Sequence, residues 1–304
     1  MSGRIQAVGL GEVLWDLLPA GPQLGGAPAN FACHAAALGA KASVISRLGD
    51  DPLGRAAMEG LADRGVDVGA IRVEPELPTG TVVVTVEPGG NPCFSITEGV
   101  AWDALTVDAA ALERVRRADV ICFGSLAQRT PQAAQAVRDL VAATPRDALR
   151  IFDINLRAPF FSRGVVVQSL EAATVLKLNE TELPVLAGWF DLPGDESAQL
   201  EALGRRFGLE GIALTLGAAG SRLWRAGVWH TASARPVLVR DAVGAGDSFT
   251  AALAIGWLRG WESADILAAA TEVASFVCTQ SGATPRLPEG LVTRCRSPAA
   301  RPVA

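Results

Sequence analysis

Basic and strongly apolar segments are scarce in this chain of 304 residues. Its only lysines are Lys41 and Lys177, no block of Lys or Arg is longer than two residues, and no run of 18 apolar residues occurs. With a formal net charge of −5, the chain lacks the positive surface of a nucleic-acid-binding protein. It also lacks a candidate membrane span, and Arg4 and Gln6 make the N-terminus too polar for a signal peptide. We therefore expect a cytoplasmic protein with no nucleic-acid or membrane partner.

Several catalytic and metal-binding motifs are also missing. The five cysteines form no CxxC pair, and the two histidines are too few for a three-histidine metal site. No GxSxG sequence occurs, no lysine follows a glycine as a P-loop requires, and no histidine precedes an arginine as in the protein-kinase HRD motif. Gly9-Leu-Gly11-Glu-Val-Leu14 has Leu14 where a dinucleotide-binding fingerprint needs its third glycine. These absences argue against zinc enzymes, serine hydrolases, P-loop NTPases, protein kinases and nicotinamide dehydrogenases.

What the chain does contain is an alternation of apolar strands and amphipathic helices. Hydrophobic residues make up 49% of it and charged residues 19%, the balance of a compact globule. Leu, Val and Ala recur at helical spacing in Asp51 to Arg64 and in Pro131 to Ala143. β-branched runs predict strands near residues 4–10, 42–47, 118–123, 149–153, 174–178 and 211–216. The alternation predicts an α/β fold with a doubly wound, mostly parallel sheet flanked by helices.

Two segments interrupt this alternation, at about residues 12–24 and 75–103. In the second, TVVVTVE and CFSITE are separated by a turn-forming cluster of Pro, Gly and Asn, which predicts a β-hairpin. A hairpin inserted into an α/β chain often forms a lid that excludes water during catalysis, but it can equally be an edge extension or a dimer surface. After Pro285 the chain is rich in Pro, Arg and Ala, and we expect a loosely ordered tail.

The strongest local signal is the glycine-rich stretch from Asp241 to Phe249. Gly244, Ala245 and Gly246 open an apolar helix, and a helix N-terminus presents unpaired amides that bind phosphate or stabilise a transferring phosphoryl group. Asp247 in the first turn is placed to accept the proton of an attacking hydroxyl. The alternative is an ordinary tight turn followed by an acidic residue that interacts favourably with the helix dipole.

A second glycine cluster begins at Gly25 and Gly26 and enters an Ala-rich helix near Pro28. Paired glycines let the backbone approach a polar ligand, and Asn30 offers both a donor and an acceptor for sugar hydroxyls. The alternative is a plain loop that leads into a buried helix.

Together, these two stretches resemble the two signatures of the ribokinase (PfkB-type) carbohydrate and nucleoside kinase family. Residues 25–49 fit the first signature, and residues 241–253 fit the second except at Ala242, where the family usually has Thr or Ser. The resemblance extends from about Val8 to Pro285. It implies one ribokinase-like kinase domain over residues 1–304, with the interrupting segments inserted as a β-strand lid.

The resemblance also suggests where the nucleotide and its metal bind. Asn179 and Glu182 resemble the family's NxxE element, which organises Mg²⁺ through water, although an Asn cap with first-turn acids fits the same residues. The nucleotide-phosphate loop would contain Thr215, Gly217 and Gly220, which can also form a simple hairpin turn. Further positions implied by the resemblance are Thr271 near the adenine and, for a possible K⁺, Asp241 and Ala283.

Within the family, Gly11 to Asp16 and Asp153 to Arg157 are most similar to bacterial fructokinases and 2-keto-3-deoxygluconate kinases. Asp16 would bind sugar hydroxyls. Arg157 would bind a sugar hydroxyl, the phosphoryl group or the carboxylate of a sugar acid, unless it is a structural arginine. Three apolar side chains would close over the sugar or simply pack in the lid: Phe94, Ile96 and Trp102.

The resemblance therefore implies an ATP-dependent, Mg²⁺-dependent sugar kinase. Asp247 would be the base, and the sugar would be D-fructose, phosphorylated at O6 to give fructose 6-phosphate. The alternatives are a 2-keto-3-deoxygluconate kinase and a non-catalytic sugar-binding paralogue. The expected partners are a small-molecule sugar and, if the lid sheet pairs between copies, a second copy of the chain in a homodimer.

Overall fold

The structure, a computed structural model, describes residues 4–18, 21–86 and 92–297. In these ranges the strands are, in chain order, β1 Gln6–Leu10, β2 Leu14–Leu18, β3 Gly21–Gly25, β4 Lys41–Gly49, β5 Val66–Asp67, β6 Ile71–Glu74, β7 Gly80–Val86, β8 Pro92–Ile96, β9 Val120–Phe123, β10 Leu149–Asp153, β11 Val175–Asn179, β12 Gly211–Thr215, β13 Ser221–Arg225 and β14 Val228–Ala232. The α-helices are α1 Ala27–Ala37, α2 Pro52–Asp63, α3 Ala109–Val115, α4 Pro131–Ala142, α5 Arg163–Ala172, α6 Leu183–Phe190, α7 Glu196–Phe207, α8 Ala245–Leu258, α9 Ser263–Cys278 and α10 Glu289–Arg296.

The main sheet is mostly parallel, as the sequence predicts. Its order is β14-β13-β12-β11-β10-β9-β1-β4-β5, and β6 also pairs with β4. The strands from β12 to β5 run parallel, whereas β13 and β14 are antiparallel at one edge. Its central strands are continuous apolar runs, as in the fully buried VICF of β9, because helices cover both faces.

The strands predicted from β-branched runs and the helices predicted from apolar spacing are confirmed. The six predicted strands correspond to β1, β4, β9, β10, β11 and β12, and the two predicted helices correspond to α2 and α4. Each of these helices begins with a proline directly after a capping side chain. Asp51 accepts from the Gly54 amide at 2.7 Å, and Thr130 accepts from the Ala133 amide at 3.2 Å.

A separate four-stranded sheet is formed by the two interrupting segments, in the order β3-β2-β7-β8. Strands β7 and β8 pair antiparallel, which confirms the predicted hairpin, although residues 87–91 of its turn lie outside the described residues. Strand β2 begins at Leu14, shortly after β1 ends at Leu10. The small sheet therefore starts at the carboxyl edge of the main sheet, and its role as a lid stays a prediction.

The expectation of a loosely ordered tail is wrong for residues 289–296, which form α10. Leu291 and Cys295 are spaced four residues apart, so they lie on one face of the helix, and both are buried in the core that also contains α1, α8 and α9. Composition alone missed this two-residue apolar stripe. Cys33 and Cys122 are also buried. Within the described ranges, no helix is both long and apolar enough to cross a membrane.

Candidate active site

Buried charged side chains gather where the parallel strands of the main sheet end. Glu12 follows β1, Asp153 is the last residue of β10, Lys177 lies in β11, and Asp247 lies in the first turn of α8. All four are less than a tenth exposed. Ligands of doubly wound sheets bind beyond the carboxyl ends of the strands, so this edge is the candidate active site.

The turn at the start of α8, residues 244–247, has the conformation that an anion site needs, and we call it the anion turn. Gly244 has a φ of 78°, and a Cβ built on it would lie 2.2 Å from the Ala283 carbonyl oxygen, so only glycine fits. The Ala245 amide donates to the Ala242 carbonyl oxygen at 3.3 Å. Among the described residues no acceptor contacts the Gly244, Gly246 or Asp247 amide, which leaves these three amides to bind an anion.

Asp247 is held beside this turn by a residue from α1. The Asn30 side-chain amide donates to Asp247 Oδ2 at 2.8 Å, so the two glycine-rich stretches meet, although 217 residues separate them. Burial, and next the charge of Asp153, raise the Asp247 pKa to about 6, while Asn30, Lys177 and Arg157 lower it. A carboxylate with this pKa is mostly ionised at pH 7 and still basic enough to accept a proton.

A buried ion pair lies directly below the turn. Lys177 Nζ is 3.0 Å from Asp153 Oδ1, and the Thr250 hydroxyl donates to Asp153 Oδ2 at 2.9 Å. Burial favours a lower Lys177 pKa, but Asp153, Glu182 and Asp247 together raise it above its ordinary value, so the ammonium stays charged. A Cβ on Gly246 would lie 2.8 Å from Nζ, which places the positive charge against the anion turn. Sequence reasoning missed Lys177; a lone lysine within an apolar strand was the available signal.

Asp16 lies on β2 of the small sheet, against the first glycine cluster. A Cβ on Gly25 would be 2.6 Å from Asp16 Oδ2 and would displace that carboxylate. Gly26 requires glycine, because its φ is 107° and a Cβ there would lie 2.4 Å from the Glu12 carbonyl oxygen. Burial, and then the charge of Asp241, raise the Asp16 pKa to about 6, whereas Arg157 lowers it. Within the part of the chain that the structure describes, the exposed Arg157 guanidinium donates only to the Leu156 carbonyl oxygen, at 3.3 Å. It therefore has free donors for a ligand.

Glu12 is a further acidic side chain that sequence reasoning did not single out. Its Oε1 accepts from the Ala27 amide at 3.3 Å, and its buried Oε2 has no hydrogen-bond partner in the described part of the chain. Burial raises the Glu12 pKa from 4.5 to about 7, and Asp247 adds to this effect. The only sequence signal was its place directly after the strand–glycine pattern at Gly11.

Replacing Glu12 by glutamine is expected to stabilise the protein at high pH only. Because the folded pKa of about 7 exceeds the ordinary 4.5, the unfolded chain releases this proton first as pH rises, so stability falls between those values. Glutamine mimics the neutral carboxyl and removes that loss, worth up to roughly 3 kcal/mol at 1.36 kcal/mol per pH unit. The free energy of unfolding in urea is measured for the wild type and Glu12→Gln at pH 4.5 and at pH 8. If the two proteins differed by the same amount at both pH values, Glu12 would not have the raised pKa.

The proposed magnesium residues are placed together, and their contacts also fit the capping alternative. Glu182 Oε1 accepts from the Leu156 amide at 2.9 Å and Oε2 from the Asn179 amide at 2.8 Å. Asn179 Oδ1 accepts from the Thr181 amide at 2.9 Å and the Glu182 amide at 3.0 Å. Each carboxylate oxygen keeps a second lone pair, so the donor set fits a hydrated Mg²⁺ better than a directly coordinated one. The metal role stays a prediction.

The predicted nucleotide residues lie near the carboxyl end of β12, which is an inner strand of the main sheet. Thr215 ends β12, and Gly217, with a φ of 53°, and Gly220, with a φ of 106°, lead into the antiparallel β13, which is the hairpin turn of the alternative. Thr271 is buried in α9, where its hydroxyl shares a 2.7 Å hydrogen bond with the Ser221 hydroxyl. Their nucleotide contacts stay predictions.

The residues suggested for K⁺ join the chain segments around the anion turn. Asp241 accepts from the Val243 and Gly282 amides, each at 3.0 Å, and the Ala283 carbonyl oxygen accepts from His34 Nε2 at 2.9 Å. Whether K⁺ binds here stays a prediction.

The three apolar residues predicted to close over the sugar lie in different surroundings. Phe94 belongs to β8, but its side chain lies outside the described residues. Ile96 is partly buried and packs against two small clusters, one that contains Trp102 and one that contains Leu14 and Val82 of the small sheet. Trp102 is 1% exposed and the Arg129 guanidinium covers its ring at 3.9 Å from the centroid, so Trp102 is a packing residue, not a sugar contact.

The comparisons with known proteins agree with this geometry. Residues 22–290 match the model of the pfkB family of carbohydrate kinases. The chain is 32% identical to a fructokinase of Klebsiella pneumoniae over 267 residues, which cover 84% of this chain and 85% of that one. The crystal structure of an uncharacterized sugar kinase from Pyrococcus horikoshii is similar with a TM-score of 0.78 and 28% identity, covering 91% of this chain and 93% of that one.

A fructokinase from Xylella fastidiosa with bound ATP has the same fold, with a TM-score of 0.83 at 21% identity over 95% of this chain and 98% of that one. The ribokinase-like α/β fold is therefore confirmed. The chain is a sugar kinase, a phosphotransferase that belongs to the pfkB family of carbohydrate kinases.

Proposed function

We propose that this kinase transfers the γ-phosphoryl group of ATP to the primary O6 hydroxyl of D-fructose. The observation that carries the proposal is the buried hydrogen bond between Asn30 and Asp247 at the N-terminus of α8. This hydrogen bond connects Asn30, whose side-chain amide can bind sugar hydroxyls, with Asp247, whose carboxyl group has a raised pKa. The backbone amides beside Asp247 are free to bind a phosphoryl group. ATP is the proposed donor because the similar Xylella fastidiosa fructokinase was solved with it bound.

In the proposed mechanism, Asp247 accepts the proton of the sugar hydroxyl as that oxygen attacks the γ-phosphorus. The bond between the γ-phosphorus and the β,γ-bridging oxygen breaks, and ADP leaves with that oxygen. The Gly244 and Gly246 amides bind the equatorial oxygens of the transferring group, with Ala245 joining them when its long hydrogen bond to Ala242 opens. Lys177 lies below Gly246 and adds positive potential. Thr215, Gly217 and Gly220 contact the nucleotide phosphates, and Thr271 lies near the adenine. Asn179 and Glu182 would hold Mg²⁺ through water, and the ion would neutralise charge on the phosphates.

The charges around the sugar residues favour a neutral substrate. Asp16 and Asp247 are negative neighbours of Arg157, and Asp241 is close enough to raise the Asp16 pKa. Fructose is neutral, and its hydroxyls can donate hydrogen bonds to these carboxylates. A sugar acid would add a further negative charge next to them. The free Arg157 guanidinium is the observation that favours the second candidate, 2-keto-3-deoxygluconate, because it could bind that carboxylate.

The small sheet is proposed as a lid over the sugar. It carries Asp16 on β2 and starts at the carboxyl edge of the main sheet, so its closure would exclude water that competes with the sugar for the phosphoryl group. The whole chain, residues 1–304, is then one kinase domain with this lid inserted. Pairing of two such sheets in a homodimer and a cytoplasmic location stay predictions.

The substrate is tested by measuring ADP release with Mg-ATP and K⁺. We compare kcat/KM for D-fructose, 2-keto-3-deoxygluconate, mannose and ribose, and repeat the fructose assay without K⁺. Fructose is expected to have the highest value, and Arg157→Ala is expected to retain this order. A higher value for 2-keto-3-deoxygluconate, abolished by Arg157→Ala, would establish the second candidate. If the protein bound sugar but released no ADP with any of the four sugars, it would be a non-catalytic paralogue.

A further inference from the structure

Helix α1 contacts the region of the anion turn at two points. Asn30 and His34 are four residues apart and therefore lie on one face of the helix. Asn30 donates to Asp247, whereas His34 is hydrogen-bonded to Ala283. The first contact belongs to the proposed sugar site, but nothing in the mechanism so far uses the second.

His34 is a buried donor in a fixed protonation state. Its side chain is 1% exposed, and Nε2 lies 2.9 Å from the Ala283 carbonyl oxygen. A carbonyl oxygen can only accept, so the proton of the imidazole is on Nε2.

The peptide that His34 holds is packed against the anion turn. A Cβ on Gly244 would lie 2.2 Å from the Ala283 oxygen, 2.6 Å from its Cα and 2.8 Å from its carbonyl carbon. Ala283 therefore forms the surface on which Gly244 rests in its left-handed conformation. On the other side, the Asp241 carboxylate ties the Gly282 and Val243 amides together. Because Gly244 packs against Ala283, a shift of the Ala283 peptide would move the turn at Gly244. The hydrogen bond from His34 opposes such a shift.

We propose that His34 is a positioning residue for phosphoryl transfer, which fixes the Ala283 peptide and through it the amides at Gly244 and Gly246. The inference rests on the proposed role of these amides as the anion site. It assigns to α1 two separate tasks: Asn30 orients the base and His34 orients the turn that binds the phosphoryl group. Displacement of catalytic groups by about 1 Å can cost on the order of a hundredfold in rate, so a remote hydrogen bond can have a large effect.

The test compares His34→Leu, His34→Gln and Cys33→Ala. Leucine removes the donor, glutamine offers a donor of similar reach, and Cys33 is the neighbouring buried residue of α1 that serves as the packing control. For His34→Leu we expect kcat to fall about tenfold to a hundredfold with a sugar KM within about twofold of the wild type. His34→Gln is expected to recover kcat to within about threefold, and Cys33→Ala to retain it.

Equal losses of kcat in His34→Leu and Cys33→Ala would show a packing effect and overturn the proposal, as would an unchanged kcat in His34→Leu. A second readout does not need turnover. The Ala245 amide donates to the Ala242 carbonyl oxygen at 3.3 Å and the Ser248 amide donates to the Gly244 carbonyl oxygen at 2.9 Å. Hydrogen exchange of these two amides is expected to become faster in His34→Leu but not in Cys33→Ala. If the wild type phosphorylates none of the sugars, the proposed function fails while this exchange comparison still decides the role of His34. Equal exchange in all three variants would then refute it.

Discussion

Asp247→Asn is expected to lower kcat by about 10²- to 10⁴-fold, the contribution of a well-placed general base. Asparagine has the same shape and can still accept the hydrogen bond from Asn30, so the affinities for ATP and the sugar should remain within about twofold. The wild type should also lose activity as pH falls through about 6, because protonated Asp247 cannot accept a proton. Steady-state kinetics from pH 5 to pH 8 and titration calorimetry measure both effects.

Two results would remove Asp247 from the role of base. One is turnover of Asp247→Asn close to that of the wild type. The other is a wild-type kcat that does not fall below pH 6 although ATP and sugar still bind there. Glu12→Gln is a useful companion variant in these pH profiles, because burial raises the pKa of Glu12 to about 7. Burial also raises the Asp16 pKa to about 6, so Asp16→Asn at saturating sugar is the second companion variant. A loss of activity near pH 6 that persists in both variants belongs to Asp247.

Lys177→Met is expected to destabilise the protein by about 3 to 5 kcal/mol, the usual cost of breaking a buried ion pair. The lysine and Asp153 side chains are only 7% and 4% exposed, so methionine would leave the carboxylate buried with the Thr250 hydroxyl as its remaining partner. The free energy of unfolding in urea measures this loss. In the double variant Lys177→Met/Asp153→Leu we expect recovery of part of it, because no unpaired buried charge remains.

The matched control is the exposed pair Arg205 and Glu201 on α7. Its side chains are 67% and 33% exposed, and the nearest nitrogen and oxygen are 3.4 Å apart. Solvent screens this pair, so Arg205→Met should cost less than about 1 kcal/mol. If Lys177→Met cost no more than Arg205→Met, the pair below the anion turn would not be the strongly coupled interaction that the structure shows.

The parts of the fold that the sequence predicted are those with a local cause. β-branched runs identified the six parallel strands, because strands covered by helices on both faces are apolar throughout. The three- and four-residue spacing of apolar residues identified helices α2 and α4, because burial on one face of a helix repeats along the chain. The β7–β8 hairpin followed from its turn residues. By contrast, α10 was missed, because only Leu291 and Cys295 of its eight residues are buried and composition outweighed that short pattern.

For the candidate site, the sequence by itself determined the two glycine-rich stretches, the acid at Asp247 and, through the resemblance, the kinase family. Only the tertiary structure decided that Asn30 contacts Asp247, that Lys177 lies under Gly246, that Glu12 is buried, and that His34 holds the peptide against Gly244. The physical reason is distance along the chain. Backbone conformation and helix starts depend on neighbouring residues, whereas burial, pKa values and side-chain contacts depend on residues up to 249 positions apart that meet only after folding.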